Sequence, residues 1–264
     1  MKFILYLLFT ASVIITQAQE TSLPAELLHS FNAGTDRYVG TDNFGYKYTI
    51  GNNEFRKYKD GNTIHFKAVA LGDLYSVDLQ NPLQIVLFYK DFNTVVLLDN
   101  QLNETIRINF SQLNQPVVAE GVGLASQNRL WVYDTNTQQV GLYSLTPNTF
   151  KTLTPPFNKK LKYYQSDYNY FYWADETNNL YAVNLFGKVS FLGTLPAYDQ
   201  LELISAKKVL LKKDNVLYLY NLQEATYNKI EIAEKSFLSF HYTAQILSIF
   251  TNNKIIQYNI ILPK

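Results

Sequence analysis

The chain contains no cysteine in 264 residues. Disulfides, thiol nucleophiles, iron–sulfur clusters and cysteine-ligated zinc are therefore excluded. Charge is sparse and balanced: 23 basic and 22 acidic side chains make up 17% of the chain. A protein that grips nucleic acid through its phosphates needs a basic excess, so that class is excluded too. Histidine occurs three times, as His29, His65 and His241, in no HExxH arrangement. There is no Gly-x-Ser-x-Gly elbow and no glycine-rich phosphate cradle. Gly121-Val-Gly123 lacks the strand–turn–helix setting that gives such glycines meaning, and Asp134-Thr-Asn136-Thr lacks the length and closing Glu of a calcium loop. No cofactor is called for, and no catalytic or metal-binding residue is assigned.

Long hydrophobic runs are nearly absent as well. The exception is Phe3 to Ile15, thirteen residues interrupted only by Thr10 and Ser12, behind the basic Lys2 and ahead of Thr16-Gln17-Ala18. That layout predicts a secretory signal peptide over residues 1–18, cut after Ala18. It is short of the roughly 20 residues a membrane-spanning helix needs. No cysteine follows it to carry a lipid. Later apolar blocks such as Ile85 to Tyr89 are only strand length, so no transmembrane segment is expected in the mature chain, and the expected location is the periplasm, the outer-membrane periphery or the exterior.

What the chain has in quantity is aromatic side chains: 21 Tyr, 17 Phe and 2 Trp, or 15% of all residues. With 47% hydrophobic residues this composition folds, and residues 19–264 read as one domain. A small pattern recurs, in which Asn or Gly precedes five strand-like residues and Asp, Asn or Gly closes them. It occurs at Gly45–Gly51, Asn93–Asp99, Asn128–Asp134, Asn178–Asn184, Asn215–Asn221 and Asn253–Asn259. The mean spacing is about 42 residues, the length of one four-stranded propeller blade. Asn and Gly suit turns that need positive φ, and Asp or Asn suits a side-chain-to-backbone turn. Between them both strand faces are often apolar, as in Val95 to Leu98, so neighbouring sheets cover both sides. A more polar strand follows the centre strand of each complete unit, as Glu104 to Phe110 follows Asp99.

These features predict an all-β, six-bladed β-propeller of four-stranded antiparallel blades, with centre strands near 46–50, 94–98, 129–133, 179–183, 216–220 and 254–258. A β-sandwich or irregular β-barrel and a β-solenoid are the alternatives; a sandwich would not require regular spacing. The only helical piece expected is Pro24 to His29. The sixth unit lacks a polar outer strand after Asn259, so a segment within 22–42 is expected to return and pair with it. The channel is expected to be lined mainly by tyrosine, serine, asparagine and aliphatic groups.

Tyr172-Trp173-Ala174-Asp175 is similar to the Tyr-Trp-Thr-Asp repeat of receptor-type six-bladed propellers, with alanine for threonine. Leu130-Trp131-Val132-Tyr133-Asp134 resembles the centre strands of NHL-type propellers. Residues 35–260 resemble exported six-bladed propellers of Bacteroidetes type, which implies the fold and leaves function open. The block Tyr163, Tyr164, Tyr168, Tyr170, Phe171, Tyr172 and Trp173 serves either inter-blade packing or partner contact. Tyr163, Tyr164 and Tyr168, beside three lysines and behind Pro155-Pro156, read as a loop. The candidate binding residues are Tyr163, Tyr164, Tyr168, Tyr172, Trp173 and Trp131. The function read from them is a non-catalytic envelope or secretion scaffold that binds a protein. The alternatives are a glycan-binding module stacking sugars on these aromatics, and a hydrolase or lyase acting in the channel; each histidine reads as a polar residue on a turn or strand edge, His241 being the one with the best chance of lining a pocket.

Overall fold

The recurrent Asn positions are turn positions. Asn93, Asn128, Asn178 and Asn215 all adopt positive φ, between 49° and 64°, where asparagine is strained less than other side chains. At the far end of each strand the closing residue folds back onto the chain. Asp99 Oδ1 accepts from Gln101 N and Asn103 N, and Asp175 Oδ1 from Thr177 N and Asn179 N. Asn184 and Asn221 do the same for the residues that follow them. Strand-closing Asp and Asn are thus turn residues.

The computed structural model describes residues 22–263, less 33 and 35, so the expected signal peptide lies outside the described residues. They form six sheets around one axis, spanning 37–66, 76–109, 119–152, 161–194, 200–231 and 239–259. The first strand of each blade faces the axis and the fourth lies at the rim. This is a six-bladed β-propeller. Second strands begin at Lys47, Ile85, Arg129, Tyr170, Lys208 and Ile246. Their 38–44 residue spacing is steadier than that of the recurrent pattern. The reason is that the pattern marks different strands. Lys47–Gly51 and Arg129–Asp134 are second strands, whereas Thr94–Leu98, Asn179–Asn184, Val216–Asn221 and Lys254–Asn259 are third strands. Both strands of the central hairpin are buried on two faces, so both carry the same apolar signature.

The sixth blade is completed from the other end of the chain. Glu26–Asn32 pairs antiparallel with Lys254–Asn259, Glu26 opposite Asn259 and Asn32 opposite Lys254. A second pairing was not foreseen. Ser22–Pro24 runs parallel to Thr226–Glu231, adding a fifth strand to the fifth blade. The helix expected over Pro24 to His29 is therefore extended chain, because two sheet edges claim its backbone groups. The helical pieces are single 3₁₀ turns at Val69–Leu71 and Phe110–Gln112. Among the described residues no helix is long and apolar enough to cross a membrane.

Apolar clusters fill five of the six seams. One joins Val86, Phe88, Val95 and Leu97 of the second blade to Val122, Leu124, Leu130 and Val132 of the third. Similar clusters lie between blades one and two, three and four, four and five, and five and six. Between the sixth blade and the first, no such cluster forms among the described residues. That seam holds the Tyr38–Phe250 contact, at 4.9 Å between ring centroids, and a cavity of about 240 Å³ bordered by Asp36, Arg37 and Lys254. Lys47 Nζ also rests 3.5 Å from the Phe31 ring centroid. Closure there is carried by backbone pairing more than by packing.

The central channel as candidate functional site

The innermost strand of a propeller blade has one free edge, and its N–H and C=O groups need partners. Here side chains of the preceding blade supply many of them. Asp78 Oδ2 accepts from Leu124 N at 2.7 Å, and Gln80 Nε2 donates to Leu124 O at 3.2 Å. Gln165 clasps both backbone groups of Leu203, accepting at 2.8 Å and donating at 3.0 Å. Gln200 does the same to Phe240, at 3.3 and 3.0 Å. Both Glu202 oxygens accept from Tyr242 N at 3.0 Å. Each primary amide imitates the backbone of a missing strand. Gly123 illustrates how closely the inner strands approach: a Cβ there would stand 1.9 Å from Ser166 Oγ.

The channel these strands enclose is a cavity of about 470 Å³ with contributions from every blade. Its lining departs from the expectation. Asparagine is absent from it, and Gln80, Gln165 and Gln200 stand with Asp78, Glu202 and His241 among serine, threonine and aliphatic groups. Glutamine reaches one methylene farther than asparagine, far enough to cross to the next blade. Burial pushes the Asp78 carboxyl above its ordinary range, against the pull of the Leu124 and Gln80 amides.

The sharpest feature is a histidine–carboxylate pair. His241 Nδ1 lies 3.2 Å from Glu202 Oε1, the His241 side chain 39% exposed to the cavity and Glu202 14%. Burial pulls the imidazole pKa down, but the hydrogen bond and charge of Glu202 outweigh it and hold it above its ordinary value. With Nδ1–H held by the carboxylate, neutral His241 keeps Nε2 as a lone-pair site. Of the hydroxyls at the channel wall, Thr41 Oγ1 is bonded to Tyr38 and Ser76 to Tyr164, while Ser166 and Thr243 line the cavity beside His241. Among the described residues no group of three or more His, Asp or Glu is placed to hold a metal ion.

The aromatic candidates are distributed differently from the reading of them as an exposed loop. Tyr163 and Tyr164 lie in the strand Leu161–Ser166, half-buried; Tyr163 donates to Gln165, and Tyr164 stacks 5.6 Å from Phe171. Burial raises the pKa of both phenols. Tyr172 and Trp173 are 8% and 4% exposed, and Trp131 is fully buried. Trp173 is stacked 4.3 Å from Phe157 and 5.3 Å from Tyr181, while Trp131 Nε1 donates to Asp167 O at 2.9 Å. Neither tryptophan presents an open face on which a sugar could stack. Tyr168 alone of the six is exposed, at 39%. Tyr164 is the only one of them at the channel wall. The sequence did hold a signal for the clasps: polar and apolar residues alternate in Gln200-Leu201-Glu202-Leu203, with both leucines buried in the seam.

Comparison with known proteins bears on the fold alone. Virginiamycin B lyase from Staphylococcus aureus superposes with a TM-score of 0.60 at 9% identity, covering 92% of this chain and 97% of that one. A catalytically inactive histidine-to-alanine variant of that lyase, with quinupristin, gives 0.57 at 11%, covering 93% and 97%. A chain of the mitotic checkpoint complex gives 0.55 at 11%, covering 92% and 87%. No family model and no curated protein sequence matches the chain. The class defined by fold and channel is therefore a six-bladed β-propeller, similar in fold to virginiamycin B lyase and to a chain of the mitotic checkpoint complex, and that fold leaves function open.

Proposed function

We propose that the chain is a channel-acting lyase or hydrolase in which His241 moves the proton and Glu202 positions it. The carrying observation is the His241–Glu202 pair at the wall of a cavity of about 470 Å³. In an elimination or hydrolysis Nε2 takes a proton from the substrate or a water, and Glu202 stabilises the imidazolium that results. The Ser166 and Thr243 hydroxyls at the cavity wall would orient an uncharged polar substrate. Support comes from the likeness to virginiamycin B lyase, whose histidine-to-alanine variant is described as catalytically inactive. Quinupristin and a panel of neutral esters are the probes. Turnover by the wild-type protein is expected to fall by about 10²-fold or more in His241→Ala and by less in Glu202→Gln. It should rise with pH as imidazolium loses its proton, at a pH above the ordinary histidine value of about 6.5. Turnover of none of these probes, or turnover that survives His241→Ala, would sink the reading.

A second reading is an envelope scaffold that binds a protein. The observation favouring it is apolar surface at the rim, where Phe186 and Phe191 are 92% and 58% exposed. The use of a like-folded chain in the mitotic checkpoint complex supports it as precedent for the fold. Both readings take the protein to act outside the cytoplasm, which the signal-peptide layout of residues 1–18 supports. N-terminal sequencing of protein recovered from the source cell is expected to begin at Gln19; retention of Met1 would refute export by this route.

A further inference from the structure

An outer blade strand presents a row of unpaired backbone groups, which proteins ordinarily guard with charge. The second blade's rim strand carries Glu104 and Arg107, the third's Lys151 and the sixth's Glu26. The fifth blade's rim is covered by Ser22–Pro24, which shows that such an edge accepts a further strand. The first blade's rim strand holds His65. The fourth blade's rim strand, Val189-Ser190-Phe191-Leu192-Gly193-Thr194, has no ionisable group, whereas the fourth strand of every other blade carries at least one. Val189 and Phe191 are 39% and 58% exposed, and Phe186, at 92%, lies in the turn that leads into it.

We propose that this edge is the surface through which two copies of the chain associate, pairing antiparallel across a two-fold axis at Ser190. Asn184 N donates to Lys188 O at 3.2 Å, and Ala182 stands opposite Ser190. Antiparallel pairs alternate, so the N–H and C=O groups of Val189 and Phe191 point away from the sheet. With the axis at Ser190, Val189 of each copy faces Phe191 of the other, and those outward groups meet as hydrogen-bonded pairs. Ser190 then faces Ser190, and Lys188 faces Leu192, so no like charges oppose. Aromatic against β-branched and hydroxyl against hydroxyl are both favourable cross-strand pairs. The bulge between Phe191 and Gly193 lies at the end of this register and does not interrupt it. The occupant is a second copy because this register sets Val189 against Phe191, Ser190 against itself and Lys188 against Leu192, with no like charges opposed. The result is one eight-stranded sheet running through two discs.

A contact of this length is small beside standard interfaces, so the association is concentration-dependent. Sedimentation of the wild-type protein should show a monomer–dimer equilibrium in the micromolar range. Phe191→Lys, which sets two lysines against the opposing valines at an exposed position, should leave the melting temperature in place and the protein monomeric. The chain has no cysteine, so a single introduced thiol reports without background. Opposed non-hydrogen-bonded residues stand about 4.5 Å apart between Cα atoms, within reach of a disulfide. Under mild oxidation Ser190→Cys should cross-link at least about tenfold faster than Thr149→Cys at the third blade's rim. Wild-type protein monomeric at every concentration, or equal cross-linking at the two rims, would overturn the proposal.

Discussion

Deleting residues 19–33 should lower the melting temperature by about 10–20 °C. The segment provides the fourth strand of the last blade, with six residue pairs from Glu26–Asn259 to Asn32–Lys254. At about 1 kcal/mol net per backbone hydrogen bond, losing this ladder costs on the order of 5 kcal/mol. In a protein of this size each kcal/mol moves the midpoint by about 2–4 °C. The same deletion removes Ser22–Pro24 from the fifth blade and Leu23 and Ala25 from contact with the cluster around Ile230. No apolar cluster at the adjoining seam compensates. Differential scanning calorimetry checks the result, and a midpoint within about 2 °C of the intact protein would exclude a closing role for the segment.

The second large effect is expected at Trp131. Truncation to alanine empties a site with no solvent exposure and removes the donor to Asp167 O. Phe/Trp→Ala changes in cores cost about 3–5 kcal/mol, which predicts a fall of about 6–20 °C. Denaturant unfolding of Trp131→Ala would measure it directly. Tyr168→Ala provides the contrast, since that ring is exposed and its backbone oxygen makes the contact with Ser126 N. It should shift stability by no more than about 0.5 kcal/mol. Equal stability of wild type and Trp131→Ala would contradict the packing described for blades three and four.

The repeat was legible because its turns demand particular chemistry. Asn at positive φ and Asp or Asn capping the following N–H groups leave a mark in one sequence, without any relatives to compare. What the repeat could not distinguish was the second strand from the third, because inter-blade packing dresses both in the same residues. Leu130–Tyr133 and Leu180–Val183 look alike and stand one strand apart in their blades. Ring closure was legible from a missing partner, the strand that ought to follow Asn259. The parallel addition of Ser22–Pro24 was not, since three residues carry no period.

The candidate site was harder to see for a different reason. Its members, Asp78, Gln165, Gln200, Glu202 and His241, come from four blades and share no local spacing. Their proximity is a product of the ring alone. The conspicuous signal, eleven residues dense with tyrosine and tryptophan, belongs chiefly to the seam between blades. Aromatic density marked where bulk was needed, and the chemistry gathered where the sequence was plain.

The clasp between Glu26–Asn32 and Lys254–Asn259 also sets an order of events. On a ribosome, the first of these strands is finished when nearly the whole of the other five blades is still unmade. It must wait, unpaired, for almost every residue that follows. Blades one to four, and the four antiparallel strands of blade five, can form in turn as their hairpins emerge, since each set is local in the chain. The sixth is settled only when the last strand is synthesised, so a ribosome that stops short of Lys254 leaves a disc with an open gap. A chain without Lys254–Asn259 therefore leaves Glu26–Asn32 without its partner and the ring open at one place.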